Sequence, residues 1–207
     1  MRVAIVGGPG IGKSTLVRQL ADLYHNGAYG EGEKGVWDPR LLADIEAGRN
    51  AVGVTAYFAR LYDANYRDAM EHDRAGRVIF FEGARITLEA HIAEYLPGEH
   101  AALRAVLAIG DWWKPDRVIC LTSSTDTIEK HIKQRNRPHE SVAMMVHRFR
   151  LIDAEFRRLA ARDSNTVVIN RDNMEFHERA DLVRVISAAR LPMFTEIVYD
   201  VVPGPAG

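Results

Sequence analysis

Short apolar runs alternate with longer amphipathic stretches along the chain. Val3–Val6, Val78–Phe81, Val118–Leu121 and Val167–Ile169 are unbroken and rich in β-branched residues. That pattern fits strands covered on both faces. A weaker fifth strand candidate lies near Ala28–Gly30. Leu16, Leu20 and Leu23 recur at helical spacing after a glycine loop. Tyr57, Leu61 and Tyr62 begin a second helix that runs to about Asp73. Further helices are expected over Asp126–Gln134, Val142–Ala161 and Glu175–Ala189. Strand–helix alternation of this kind predicts an α/β fold of three layers, with a parallel five-stranded sheet and right-handed crossovers.

Length and composition narrow the picture. The chain has 207 residues, which fits one domain over 1–207, with a frayed tail at 203–207. Apolar residues make up 47%, too many for a disordered chain. The formal charge of −1 argues against wrapping long nucleic acid by net charge alone. Of the 27 basic residues 22 are Arg, which suits planar recognition of phosphate. The lone Cys120 excludes an internal disulfide framework and reads as a core thiol, in keeping with a cytoplasmic protein. No apolar run reaches the roughly 18 residues of a membrane span, so no membrane partner is expected. The apolar N-terminus breaks at Gly7-Gly8-Pro9-Gly10 before a signal-peptide core forms. The eight histidines show no paired ligand spacing for zinc.

The first segment that carries chemistry is Gly7-Gly8-Pro9-Gly10-Ile11-Gly12-Lys13-Ser14, which matches G-x-x-x-x-G-K-[ST]. It follows an apolar strand and opens an amphipathic helix, as a phosphate-binding loop must. Gly8, Gly10, Ile11 and Gly12 let backbone N–H groups turn toward phosphate oxygens. The helix that follows presents its positive end to the same anion. Lys13 is expected on the β- and γ-phosphates of ATP, Ser14 on Mg²⁺ and Thr15 on the α-phosphate.

Such a loop serves GTPases, motor ATPases and small-molecule kinases alike. The guanine-reading N-K-x-D is absent, because Asn170-Arg171-Asp172-Asn173 lacks the lysine. Two other segments point to a kinase. In Ile132-Lys133-Gln134-Arg135-Asn136-Arg137-Pro138-His139-Glu140 a helix runs into a cationic turn. Arg135 and Arg137 can there face one anion and stabilise charge on a transferring phosphoryl group. This sets a short arginine lid at about 133–140. In Val78-Ile79-Phe80-Phe81-Glu82-Gly83-Ala84-Arg85 a buried strand ends in a carboxylate. Ligands bind at such strand ends, so Glu82 is a candidate Mg²⁺ ligand and Arg85 a candidate catalytic cation.

At this point the chain resembles the deoxyribonucleoside kinases of the thymidylate-kinase-like P-loop group, over roughly residues 1–170. Glu33-Lys34-Gly35-Val36-Trp37-Asp38-Pro39-Arg40-Leu41 is similar to that family's E-P-x-x-x-N-P-x-L stretch. Tyr57-Phe58 resembles the Y-F of Q-x-Y-F, and Pro115-Asp116-Arg117-Val118-Ile119-Cys120-Leu121 the P-D-x-x-I-Y-L strand. The lid segment resembles I-x-x-R-G-R-x-x-E.

The resemblance implies a P-loop kinase that uses ATP and Mg²⁺ and moves a phosphoryl group to the hydroxyl of a nucleoside. It implies Glu33 as general base, with Glu31 as a competitor for that role, and Arg135 and Arg137 as a closing lid. Thr55, Tyr57, Phe58 and Glu140 fall at substrate-side positions, and a homodimer through helices is implied.

Two positions depart from the pattern. The base-reading glutamine falls at Thr55, which cannot pair bidentately with a nucleobase. The E/D-R-S triplet is replaced by Glu82-Gly83-Ala84-Arg85. Both departures lie on the acceptor side, so an unusual nucleoside, a nucleotide, and a hydroxyl on a modified base within DNA all stand as acceptors. A nucleoside monophosphate kinase is the alternative enzyme, and a nucleotide-binding regulatory protein is the alternative of another class. Trp112-Trp113 reads as packing, and His131 and His139 as exposed flanks of the lid.

Overall fold

A computed structural model of the protein describes residues 1–26, 28–31, 38–47, 49–72, 77–95, 104, 107–108, 114–135 and 141–193. Five strands form one sheet: β1 (Arg2–Gly7), β2 (Ala28–Tyr29), β3 (Ile79–Glu82), β4 (Arg117–Thr122) and β5 (Thr166–Asn170). Their order is β2-β3-β1-β4-β5 and every pair is parallel. The described helices are α1 (Lys13–Leu23), α2 (Pro39–Ala47), α3 (Ala51–His72), α4 (Arg85–Tyr95), α5 (Thr125–Arg135), α6 (Val142–Ala160) and α7 (Arg179–Ala188).

Alternation along β1 divides the core into two layers. Val3 and Ile5 pack with Leu16 and Leu20 of α1, Ile128 and Ile132 of α5, and Leu182 and Val185 of α7. Ala4 and Val6 face the other side, against Ala69 of α3, Ala90 of α4, and Ile152 and Phe156 of α6. Successive strand residues point to opposite faces, so a strand apolar at every position needs helices on both. The three-layer α/β arrangement follows. Cys120 lies in the second of these layers, fully buried, where burial pushes its thiol up to about 12.

The register brings the chemistry to one edge. Ile5 pairs with Glu82, Gly7 with Leu121 and Thr122 with Asn170. The carboxyl ends of β1, β3, β4 and β5 therefore open on the same side, where ligands bind in parallel sheets.

Two helices were not among the expected ones. In α2, the Asp38 carboxylate accepts from Arg40 N at 2.7 Å, and Pro39 fills the first helical position, where a missing N–H costs nothing. In α4 both sides are covered, by α3 and α6, so no single apolar stripe is needed. The helix expected from Tyr57 starts earlier, at Ala51. Asn50 lies at φ 51° and its side chain accepts from Gly53 N at 3.3 Å, which caps α3. The last helix starts later than Glu175, at Arg179: a turn closes first, with Glu178 N donating to Glu175 O at 2.8 Å. Exposed Val52, Tyr57 and Met70 on α3 are separated by exposed Arg60, Arg67 and Asp68, so that helix carries no continuous apolar stripe. Among the described residues no helix is long and apolar enough to cross a membrane.

Candidate active site

A cleft of about 1010 Å³ opens at the carboxyl edge of the sheet. Its floor is the glycine loop between β1 and α1. Gly12 caps α1 in the left-handed region, at φ 92°, where a side chain would be strained. Lys13 Nζ curls back to donate to Gly8 O at 3.3 Å.

From the far side Arg171 braces the loop. This side chain is 5% exposed, donates to Ile11 O, and donates to Met174 O at 3.2 Å. Its guanidinium stacks on Phe176, 4.7 Å from the ring centre. Burial lowers its pKa from the usual value. The loop that carries Arg171 is tied to the end of β4 by Asp172. Burial works against the charge of Asp172, but hydrogen bonds from Ser123 (2.6 Å) and Ser124 N (2.9 Å) outweigh it and hold the carboxyl far below its usual range.

Ser14 and Glu82 meet. Ser14 Oγ donates to Glu82 Oε1 at 2.8 Å, and Glu82 is 6% exposed. A hydroxyl and a carboxylate are hard oxygen donors, so this pair fits Mg²⁺. Among the described residues no group of three or more His, Cys, Asp or Glu gathers to hold a metal, so the protein would supply only part of a magnesium shell. Glu82 is therefore not the surface partner of Arg85. Arg85 pairs instead with Glu89 at 2.7 Å, is half-exposed, and does not line the cleft. Its expected catalytic role is not supported, because the start of α4 carries it away from the cleft.

Glu31, just past β2, joins this cluster. Its backbone N–H donates to Glu82 Oε2 at 3.4 Å, and its Oε1 accepts from the Tyr62 hydroxyl at 2.5 Å. Burial first, and the nearby Glu31 charge second, push the Tyr62 phenol well above its usual value. It stays protonated at neutral pH and serves as a hydrogen-bond donor. Glu33 lies outside the described residues, as do Trp37, Trp112, Trp113, Arg137, His139, Glu140 and the 203–207 tail. Arg135 closes α5 and lines the cleft, while Lys133 is paired on the surface with Glu129 at 2.6 Å.

The remaining wall is largely apolar: Val54, Thr55, Phe58, Leu88, Met144 and Met145 line it. Thr55 Oγ1 donates to Ala51 O at 2.7 Å, one turn back on α3. Tyr57 is 36% exposed, sits edge-on to Phe58, and is not part of the lining, so its expected substrate-side position is not supported. His91 and Arg148 add polar groups to this wall, and Arg148 donates to Ile45 O at 3.1 Å. Burial, helped by the charges of Lys13 and Arg148, lowers His91 to about 4, so it is neutral at pH 7. His131 is not a plain surface residue either. It lines the cleft, its pKa is lowered by burial and by Arg171, and its buried Nδ1 has no hydrogen-bond partner among the described residues.

Sequence reasoning passed over Tyr62, His91, Arg148 and Arg171. Only Arg171 carried a usable signal, since it directly follows a strand end. The other three sit inside helices, where nothing local marks them.

A glycine loop between β1 and α1, under a parallel sheet of order β2-β3-β1-β4-β5, defines a P-loop phosphate-binding α/β protein. Within that class the chain has the fold of deoxynucleoside kinases. It is similar to the structure of deoxyadenosine kinase from M. mycoides with products dCMP and a flexible dCDP bound: TM-score 0.67, 15% identity, 90% of this chain and 97% of that one covered. The same enzyme with dATP bound gives a TM-score of 0.65 at 14% identity, covering 90% and 98%. With dCTP bound it gives 0.62 at 15%, covering 90% and 97%. No protein-family model matches the chain, and no curated protein matches it.

Proposed function

We propose that the protein is an ATP- and Mg²⁺-dependent kinase that transfers the γ-phosphoryl group to the hydroxyl of a deoxynucleoside or nucleoside-like acceptor. The observation that carries this reading is Glu31, whose carboxylate lies in one cleft with the glycine loop and the Ser14–Glu82 pair. A hydroxyl acceptor must lose a proton as it attacks, and the Glu31 carboxylate, beside the Ser14–Glu82 pair, would take it. A phosphate acceptor would need none, which favours a nucleoside over a nucleoside monophosphate.

Lys13 and the loop N–H groups hold the donor phosphates, and Ser14 with Glu82 would hold Mg²⁺. That ion, when bound, neutralises phosphate charge. Arg135, with Arg137 from the lid segment, closes over the phosphates and excludes water that would otherwise hydrolyse the donor. Most of the barrier reduction is positional and electrostatic. The bound deoxynucleotides of the M. mycoides enzyme are the chemistry expected in this cleft.

The test is transfer from γ-labelled ATP to a panel of deoxynucleosides, nucleoside monophosphates and short DNA oligomers. Labelled nucleoside monophosphate supports the proposal. Labelled diphosphate or labelled DNA would replace the acceptor. ATP binding without transfer would point to a regulatory protein.

A further inference from the structure

Resting on that kinase reading, we propose that Tyr62 is a positioning residue: its phenol fixes the Glu31 carboxylate, through a slot that stays open only because residue 83 is glycine. Three observations converge on it. The Tyr62 hydroxyl donates to Glu31 Oε1 at 2.5 Å, and the residue is 3% exposed. Gly83 has φ 86°, and a Cβ built there would lie 2.6 Å from the phenol oxygen and 2.5 Å from a ring carbon. No real Cβ tolerates such distances, so any side chain at 83 displaces the ring. Arg85, the nearest cation along the chain, is held by Glu89 and does not line the cleft.

The choice of a phenol has a chemical consequence. A guanidinium beside a carboxylate both orients it and neutralises it. A phenol orients it through one hydrogen bond and leaves its negative charge in place. That bond therefore orients Glu31 without adding a positive charge of its own. Burial of the phenol keeps it protonated, so its role as donor is constant at neutral pH.

The experiment places 3-fluorotyrosine at position 62 and reads it by fluorine NMR. Glu31→Gln is expected to move the resonance, and Glu33→Gln to leave it in place. Kinetics accompany the spectrum. Tyr62→Phe should lower kcat by about 10-fold, with KM for ATP within about two-fold of wild type. Gly83→Ala, which pushes the ring, should move the resonance and lower kcat in the same way. A resonance blind to Glu31→Gln overturns the proposal, and so does an unchanged kcat in Tyr62→Phe. If wild type phosphorylates no acceptor, the kinase reading falls and takes this one with it. If wild type is active and Tyr62→Phe matches it, only the role of Tyr62 falls. Should Tyr62→Phe not fold, the fluorinated protein and Gly83→Ala decide the matter.

Discussion

Tyr62 and Glu31, 31 residues apart in sequence, are joined by a 2.5 Å hydrogen bond beside the carboxylate that accepts from Ser14. Glu31 thus stands in the cleft beside Glu82, the carboxylate bonded to the phosphate loop. Glu31→Gln should lower kcat by about 10²-fold or more, the usual contribution of a general base. Glu33→Gln should cost less than about 10-fold. Steady-state rates with the best acceptor of the panel decide between the two.

Glu82→Gln should raise the Mg²⁺ concentration needed for half-maximal rate, because the amide still accepts from Ser14 but loses its charge. Ser14→Ala should do the same and also weaken ATP binding. A magnesium titration at fixed ATP reads both, and an unchanged midpoint would remove the pair from the metal site.

Arg171→Ala leaves the buried carbonyls of Ile11 and Met174 without a donor. An unsatisfied buried group costs about 1–3 kcal/mol, so Tm should fall by several degrees. The glycine loop also loses its brace, so KM for ATP should rise while KM for the acceptor stays. Calorimetry and donor kinetics check the two halves separately.

His91 gives stability a pH dependence. Its folded pKa of about 4 lies below the ordinary imidazole value of about 6.5, so the unfolded chain binds the proton more readily. The stabilisation is complete above about pH 6.5 and is lost as pH falls from there toward 4. His91→Asn should flatten the Tm-versus-pH curve over that window. Asp172, held below its usual range, adds a loss only at lower pH, where its carboxyl protonates.

Thr55 lines the largely apolar wall of the cleft, where the proposed reading puts the acceptor, but its hydroxyl is bonded to Ala51 O. Thr55→Val should therefore change the ranking of acceptor bases by less than about two-fold. Thr55→Gln restores an amide that can pair with a base and should sharpen that ranking. Competition between deoxynucleosides for one pool of ATP measures it.

Much of the fold was legible because burial on two faces leaves unmistakable runs, as in Val3–Val6 and Val118–Leu121. The glycine loop was legible because few other sequences can turn backbone N–H groups inward. Helix α4 was not. Ile86, Leu88, Ala90 and Ile92 fall at every second position, so the helical period never shows. Tyr62 was readable only as one member of an apolar face. Its phenol finds Glu31 through the fold of α3 over β2 and β3, which no local pattern records. Arg85 shows the opposite failure. Its position three residues after a strand suggested chemistry, yet a helix begins there, and Glu89 one turn on claims the charge.

The glycine loop is buttressed from β4, α5, α6 and the segment after β5: a Cβ at Gly7 would meet Leu121, at Gly8 Phe149, at Gly10 Ile132 and at Gly12 Phe176. The opposite wall, with Val54, Thr55, Phe58 and Leu88, is built from α3 and α4, joined by Met144, Met145 and Arg148 of α6. On the proposed kinase reading, fuel and cargo would rest on largely separate walls. Drift in α3 and α4 could then exchange the cargo while the fuel site is inherited intact, with α6, shared by both walls, as the element that must stay.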